Sequence, residues 1–469
     1  MGLLQFRLLR AVVPLFYNQV MNVSSLAKKL KYLTRAISVV LVMILIGELV
    51  QFALGSPDSY FNVPRVHPGW DTFFDLRIFT LNGSNCNISY ADITSSNHCA
   101  SRLYSFNYPK YYLYVLKLIP LHGDPTLVVG IILGIITILV TAALFNLYQP
   151  SFLLICLQAL SVMSFGFRWS LERGQLDQVM YLLALSPAFL PFLYKAKTST
   201  VQLDYSPKIT IFASITFGLA NLLKLFTATS TILLAVLDFH LIFAHNVSRR
   251  YRIASILAIS IIAFSLFLAA LVFRTSASSL YDPLLIGSSA YGLSVLTNHG
   301  IYSYFLKALP FAVGSSIPRF SIPGICNPGL TTRPPSKILP SSIFILAFFS
   351  IINVSLYLLA VNLNYKLLFL VPISCALTGL WQLRVLVDFS RSRLIFILFL
   401  LLSTMYYPYR LVPQQYPAVY QCLELYMHYF IHPMLFGALA SVAFNGFKAL
   451  WLGVVSHHIG QQGSSQSRI

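Results

Sequence analysis

Predominantly apolar runs recur from one end of the chain to the other, each near the ~20 residues a helix needs to cross the hydrocarbon core of a bilayer. They fall at 36–55, 124–147, 150–167, 176–194, 209–226, 228–245, 253–273, 299–316, 341–361, 366–384, 394–409 and 424–445. In lipid the backbone must satisfy its own N–H and C=O groups, so such runs fold as helices. A membrane β-barrel would show short segments of alternating polarity instead. The sequence therefore predicts an all-α polytopic membrane protein of about twelve transmembrane helices, with a long external first loop at 56–123.

Charge fixes the orientation. Lys and Arg outnumber Asp and Glu by 32 to 13, a balance that invites a nucleic-acid partner. The basic residues, however, sit mainly between apolar runs, so a membrane and no nucleic acid is the reading adopted. Lys28, Lys29, Lys31 and Arg35 precede the first run, and the positive-inside rule then puts the N-terminal side in the cytoplasm and loop 56–123 outside. No small-residue cleavage site follows that first run, so it reads as an anchor, not a signal peptide. Lys195/Lys197/Lys208, Arg249/Arg250/Arg252 and Arg384/Arg391/Arg393 fall inside on the same count. The expected organisation is a cytoplasmic amphipathic segment at 1–35, a transmembrane domain at 36–455, and a disordered cytoplasmic tail at 456–469.

The external loop contains Cys86 and Cys99 and the sequons at Asn82 and Asn87. An oxidising compartment permits a disulfide there, and two free thiols fit equally well. No Cys/His spacing suggests a structural zinc site.

A charge at the centre of a bilayer costs at least ~2.5–3.5 kcal/mol, so polar clusters at or within spans mark candidate sites. The first is "HPGWDTFFDLRIF", with Asp71, Asp75 and Arg77 in a chain that has only 13 acids. On a helix, positions 71 and 75 share a face. Paired carboxylates suit a general base with its orienting partner, or a divalent metal; a solvated charged loop is the bland alternative. The second is "RWSLERGQLDQ", with Arg168, Glu172, Arg173 and Asp177 at an external helix end. Its i, i+4 pairs, Arg168/Glu172 and Arg173/Asp177, are able to neutralise each other. Lys224 in "GLANLLKLFTATS" either snorkels or aims at a phosphate. "SAYGLSVLTNHG" (289–300) is a weaker candidate for a substrate path, and "VNLNYKLLFLVP" places Asn362, Asn364, Tyr365 and Lys366 between two spans. All five clusters fall on the external side of the count. That suits a reaction at the water–lipid interface, and a transporter fits as an alternative.

The order of these motifs resembles the GT-C superfamily of polyprenyl-phosphate-dependent glycosyltransferases. "ERGQLDQVMYLLAL" is similar to the "ERGN-x-D" helix start of a branch related to bacterial mannosyl- and arabinofuranosyltransferases. "FFDLR" (73–77), "FNYP" (106–109), "LANLLKL" (219–225) and "NLNYKLLFLVP" (362–372) resemble further signatures of that branch, over roughly 36–400. The resemblance implies inverting transfer of a sugar from a polyprenyl-phosphate donor to a lipid or glycan acceptor, at the periplasmic or lumenal face of a bacterial inner membrane or an ER membrane. It makes Asp75 the base, with Asp71 as its rival. Arg77, Arg102, Asn107, Glu172, Arg173, Asp177, Lys224, Tyr365 and Lys366 become substrate-binding residues; a divalent metal is left open. Gln175, Asn364 and Lys366 depart from the pattern, which has Asn, Asp and Arg there. A flippase or transporter of a lipid-linked glycan, or a polysaccharide polymerase, are the rival readings.

In a cysteine-free background, a cysteine engineered near Ser95 should react with an impermeant thiol reagent in intact cells. Labelling only after lysis would place the loop inside.

Overall fold

With no competing donors or acceptors in a hydrocarbon environment, an apolar run closes its own hydrogen bonds, and the described part of this chain does so throughout. A computed structural model describes residues 31–50, 52–53, 126–147, 152–173, 176–193, 207–223, 227–243, 249–291, 295–318, 338–359, 364–382, 389–406 and 416–466. Among them there are helices and short connections but no strand.

In chain order the helices are α1 (Lys31–Val50), α2 (Thr126–Leu147), α3 (Phe152–Met163), α4 (Phe165–Arg173), α5 (Leu176–Leu193), α6 (Pro207–Leu223), α7 (Ala228–Phe243), α8 (Arg249–Tyr291), α9 (Val295–Ser316) and α10 (Ile338–Leu359). A 3-10 segment (Asn364–Leu370) leads into α11 (Val371–Gln382), followed by α12 (Arg391–Tyr406) and α13 (Pro417–Tyr426). A π-turn (Met427–Ile431) then joins α13 to α14 (His432–Gln466). Among the described residues, four stretches are long and apolar enough to cross a membrane: Lys31–Val50, Val128–Leu147, Arg249–Leu271 and Ala418–Trp451. Shorter apolar helices accompany them, including Lys208–Leu223, Ala228–Phe243 and Ser341–Tyr357.

The exposed surface is rich in large apolar side chains, and small polar groups lie inside within an apolar core. Phe264, Phe267, Leu309 and Phe444 are each more than 60% exposed, whereas Ser214, Asn221, Thr231, Ser342 and Thr404 are fully buried. Hydrophobic faces turned outward and small hydroxyl residues turned inward are what lipid-embedded helices require. At the centre lie α10 and α11, buried on every side from Ser341 to Ser350 and from Val371 to Leu380. An all-round apolar helix belongs in such a place. Aromatic contacts tie neighbours to α10: Phe217 and Phe344 at 6.1 Å, Phe217 and Phe348 at 5.5 Å, Tyr181 and Phe349 at 6.4 Å.

Helix directions follow from paired contacts. α9 and α14 run parallel, since Lys307 meets Tyr429 and Pro318 accepts a bond from Asn445 Nδ2 at 3.0 Å. They cross at Gly314 and Gly437, where a Cβ would collide with the carbonyls of Met434 and Phe311 respectively. α10 runs antiparallel to α14, with Tyr357 stacked on Phe436 at 4.3 Å and Gly446 against Ala347. α2 and α5 are parallel through Thr137–Gln178 and Thr141–Tyr181.

Three features differ from the sequence-based expectations. The run 150–167 is broken at Ser164, whose hydroxyl accepts from the Phe167 amide at 3.4 Å and starts α4 anew; Ser is a favoured N-cap. The backbone is helical through Tyr291 and again from Val295, so the 289–300 stretch joins two helix ends. The final helix continues to Gln466, beyond residue 456 where the sequence suggests a disordered tail. Extending a helix that is already nucleated costs little even for polar residues.

Gly437→Leu should lower the midpoint of thermal unfolding in detergent, because overpacking costs about 1–3 kcal/mol or more. Gly134→Leu is the control, since nothing lies within 4 Å of a Cβ there. Equal midpoints for the two variants would contradict the close crossing of α9 and α14.

Candidate functional site

The break at Ser164 decides where the first charged side chain goes. It lets α4 begin directly after α3, and Arg168, 6% exposed, turns back into the bundle. Its Nε donates to the Met163 carbonyl at 2.8 Å, and its guanidinium forms an ion pair with the Glu48 carboxylate on α1. Gly47 makes room for this. A Cβ there would lie 2.8 Å from Arg168 Nε and 2.5 Å from the Met163 oxygen. The sequence offers Glu172 as a partner of Arg168, and the Glu172 side chain lies outside the described parts; the described partner is Glu48, 120 residues earlier.

The following turn is fastened from the other side. Asp177 and Gln178 in the first turn of α5 are fully buried. An acid there is favoured by the partial positive charge of the helix N-terminus. Gln178 Nε2 donates to the Ser170 carbonyl on α4, and its Oε1 accepts from Thr137 Oγ1 on α2 at 3.2 Å. One amide thus bridges three helices.

Against α4 packs the 3-10 segment, which also touches α5, α10 and α12. Asn353 holds it from α10, its Nδ2 donating to the Phe369 carbonyl at 3.0 Å and to the Phe349 carbonyl at 2.7 Å. Two stretches marked in the sequence, 168–178 and 362–372, therefore meet. A third is closed locally. Asn221 Nδ2 donates to Thr231 Oγ1 at 2.8 Å, and Asn221 Oδ1 accepts from Thr227 Oγ1 at 2.6 Å, joining the two helix ends that flank 224–226.

Glu172 and Arg173 occupy the last turn of α4, and Tyr365 and Lys366 the first part of the 3-10 segment; only their backbones are among the described parts. Asp71, Asp75, Arg77, Arg102, Asn107 and Lys224, as well as Cys86 and Cys99, lie outside the described residues. Among the described residues, no group of three or more His, Cys, Asp or Glu side chains is placed to hold a metal ion.

Sequence reasoning missed Glu48 and a second acid, Asp238 on α7. Asp238 is fully buried; its Oδ1 accepts from Ser255 Oγ on α8 at 3.5 Å, and its Oδ2 has no hydrogen-bond partner among the described residues. Nearby along α7, His240 stacks on Trp451 of α14 at 3.9 Å. The signal was present. An acid inside "LLAVLDFHLIF" is a functional candidate by position alone.

No family model, curated protein or solved structure matches this chain. Function has to be argued from these contacts.

Breaking a buried ion pair by removing one partner costs up to about 3–5 kcal/mol. Glu48→Gln and Arg168→Met should each lower thermal stability in detergent, and the double variant should lose less than the sum of the two. Strict additivity would show that the pair contributes no coupling.

Proposed function

We propose that this chain is an integral-membrane glycosyltransferase of the GT-C type, with about twelve spans, acting at the external face. It transfers a sugar from a polyprenyl-phosphate donor to a lipid or glycan acceptor. The observation that carries the reading is the meeting of the 168–178 turn with the 362–372 segment, beside the Glu48–Arg168 pair. Every one of these lies at a helix end that the twelve-span count puts outside. The helix directions agree with that count: α2 with α5 and α9 with α14 parallel, α10 opposed to α14.

The chemistry needs a base on the acceptor side and cations on the donor side. Asp75 takes the proton from the acceptor hydroxyl as its oxygen attacks the anomeric carbon. The bond from that carbon to the phosphate oxygen breaks on the opposite face, so configuration inverts. Asp71 orients the base or the acceptor. Lys224 and Arg173 steady the departing phosphate, where preorganised positive charge acts most strongly in a site that excludes water. Arg77, Arg102, Asn107, Glu172, Asp177, Tyr365 and Lys366 position the two substrates. A bacterial inner membrane or an ER membrane supplies such a lipid donor.

One observation favours a second reading, a flippase or transporter of a lipid-linked glycan. Asp238 is fully buried in α7, and on the twelve-span count it falls in the inner half of the run 228–245. Intramembrane carboxyls often belong to transport pathways.

Asp75→Asn keeps the shape and removes the base, so transfer to acceptor should fall at least ~10²-fold with expression intact, and Asp71→Asn should be milder. Unchanged transfer by Asp75→Asn would defeat the assignment. Net translocation of the lipid-linked sugar without any transfer would favour the transporter.

A further inference from the structure

A cation in an unexpected place lies apart from the machinery above. Lys307 sits within α9, in "KALPFAVG", and its ammonium lies 5.2 Å from the centroid of the Tyr429 ring on the π-turn. That ring face is its partner; no described carboxylate is within ion-pair distance. An ammonium has three N–H donors, and a π-face engages the charge without supplying an oxygen acceptor. Beside it, the imidazoles of His428 and His432 meet edge to face at 5.3 Å, and His428 Nε2 lies 3.9 Å from Glu424 Oε1. A π-turn re-aims the side chains of one helical turn and is frequent at functional sites. Here it holds His428 and Tyr429.

The depth of the cluster points to the ligand. On the twelve-span count the apolar runs 299–316 and 424–445 both begin on the external side. Lys307, His428 and Tyr429 then lie within about two helical turns of that interface, and the long lysine stem lets the ammonium snorkel toward it. Tyr426 is about half exposed beside them. Tyrosines concentrate at that level, and the anion found there is the phosphate of a lipid.

We propose that Lys307, with His428 and Tyr429, forms a binding site for a lipid-borne phosphate, held between α9 and the π-turn at the external interface. Lys307 Nζ donates to the phosphate oxygens, His428 and Tyr429 wall the site, and the acyl or prenyl chain runs down the apolar faces presented by Leu309 and Val313. Helix α12 touches both the π-turn and α4, so one helix separates this site from the Arg168 cluster. The inference does not depend on the transferase reading.

The test counts lipid retained by the purified full chain, by native mass spectrometry from nanodiscs of phosphatidylcholine containing either phosphatidylglycerol or a polyprenyl phosphate. Losing one charge-assisted contact should reduce retention of the anionic lipid about tenfold or more in Lys307→Met, while Lys307→Arg retains it. Retention of phosphatidylglycerol alone identifies a structural lipid; retention of the polyprenyl phosphate alone identifies a second contact for a lipid carrier. Undiminished retention by Lys307→Met, or displacement of the lipid by inorganic phosphate at equal concentration, overturns the proposal. Should Lys307→Met fail to fold, a photoactivatable headgroup analogue of each lipid on the unaltered chain decides. Crosslinks in α9 and the π-turn support the site, and their absence removes it. Binding is read without sugar transfer, so an Asp75→Asn chain that retains lipid but transfers nothing leaves this site standing. A Lys307→Met chain with full retention removes the site and leaves the transferase reading untouched.

Discussion

Everything in this molecule follows from the absence of water around its helices. A polar side chain facing lipid has no partner, so Asn221, Gln178, Asn353 and Thr231 turn inward and bond to each other or to carbonyls of neighbouring helices. Apolar side chains gain little by leaving such a solvent, so many face outward while others pack the interior. The inward polar contacts add joining of their own to that packing, helped by glycines that bring backbones into contact. Hydrogen bonds of this kind have strict geometry, and for that reason they can hold a site in register as well as a fold.

The cluster at Arg168 shows that dependence at close range. Ser164 ends one helix and starts another, and that small break aims a guanidinium at Glu48 instead of at lipid. Gln178 then fixes α5 to α4 and α2, and Asn353 fixes the 3-10 segment beside them. Remove the break, and a straight helix would carry Arg168 away from its acid. The α4 turn and the 3-10 segment would lose their common frame with it.

Much of this was legible in the sequence, though unevenly. Helical class followed from the apolar runs, because lipid leaves the backbone no alternative. The "RWSLERGQLDQ" turn stood out because charges are scarce. Its link to α1 did not: the periodicity that places Glu172 one turn from Arg168 says nothing of a residue on another helix, and Glu48 looks like an ordinary helix-end acid until Gly47 is seen to admit the guanidinium. The straight run at 150–167 concealed its break for a related reason, since one serine among apolar residues leaves mean hydropathy almost unchanged while supplying an N-cap. Asp238 and Lys307 were hidden by their surroundings, each being a single charge inside a long apolar stretch.

The parallel contact between α9 and α14 also has a consequence in time. Parallel neighbours cannot be consecutive spans, and the bond from Asn445 to the Pro318 carbonyl joins residues 127 apart. At synthesis rates of about 5–20 residues per second, α9 waits on the order of ten seconds after leaving the ribosome before α14 emerges. During that interval the Gly314 face lacks the helix built to cover it. Helix α14 is thus the one that closes this face, and a chain interrupted ahead of it would present the membrane's quality control with an open seam.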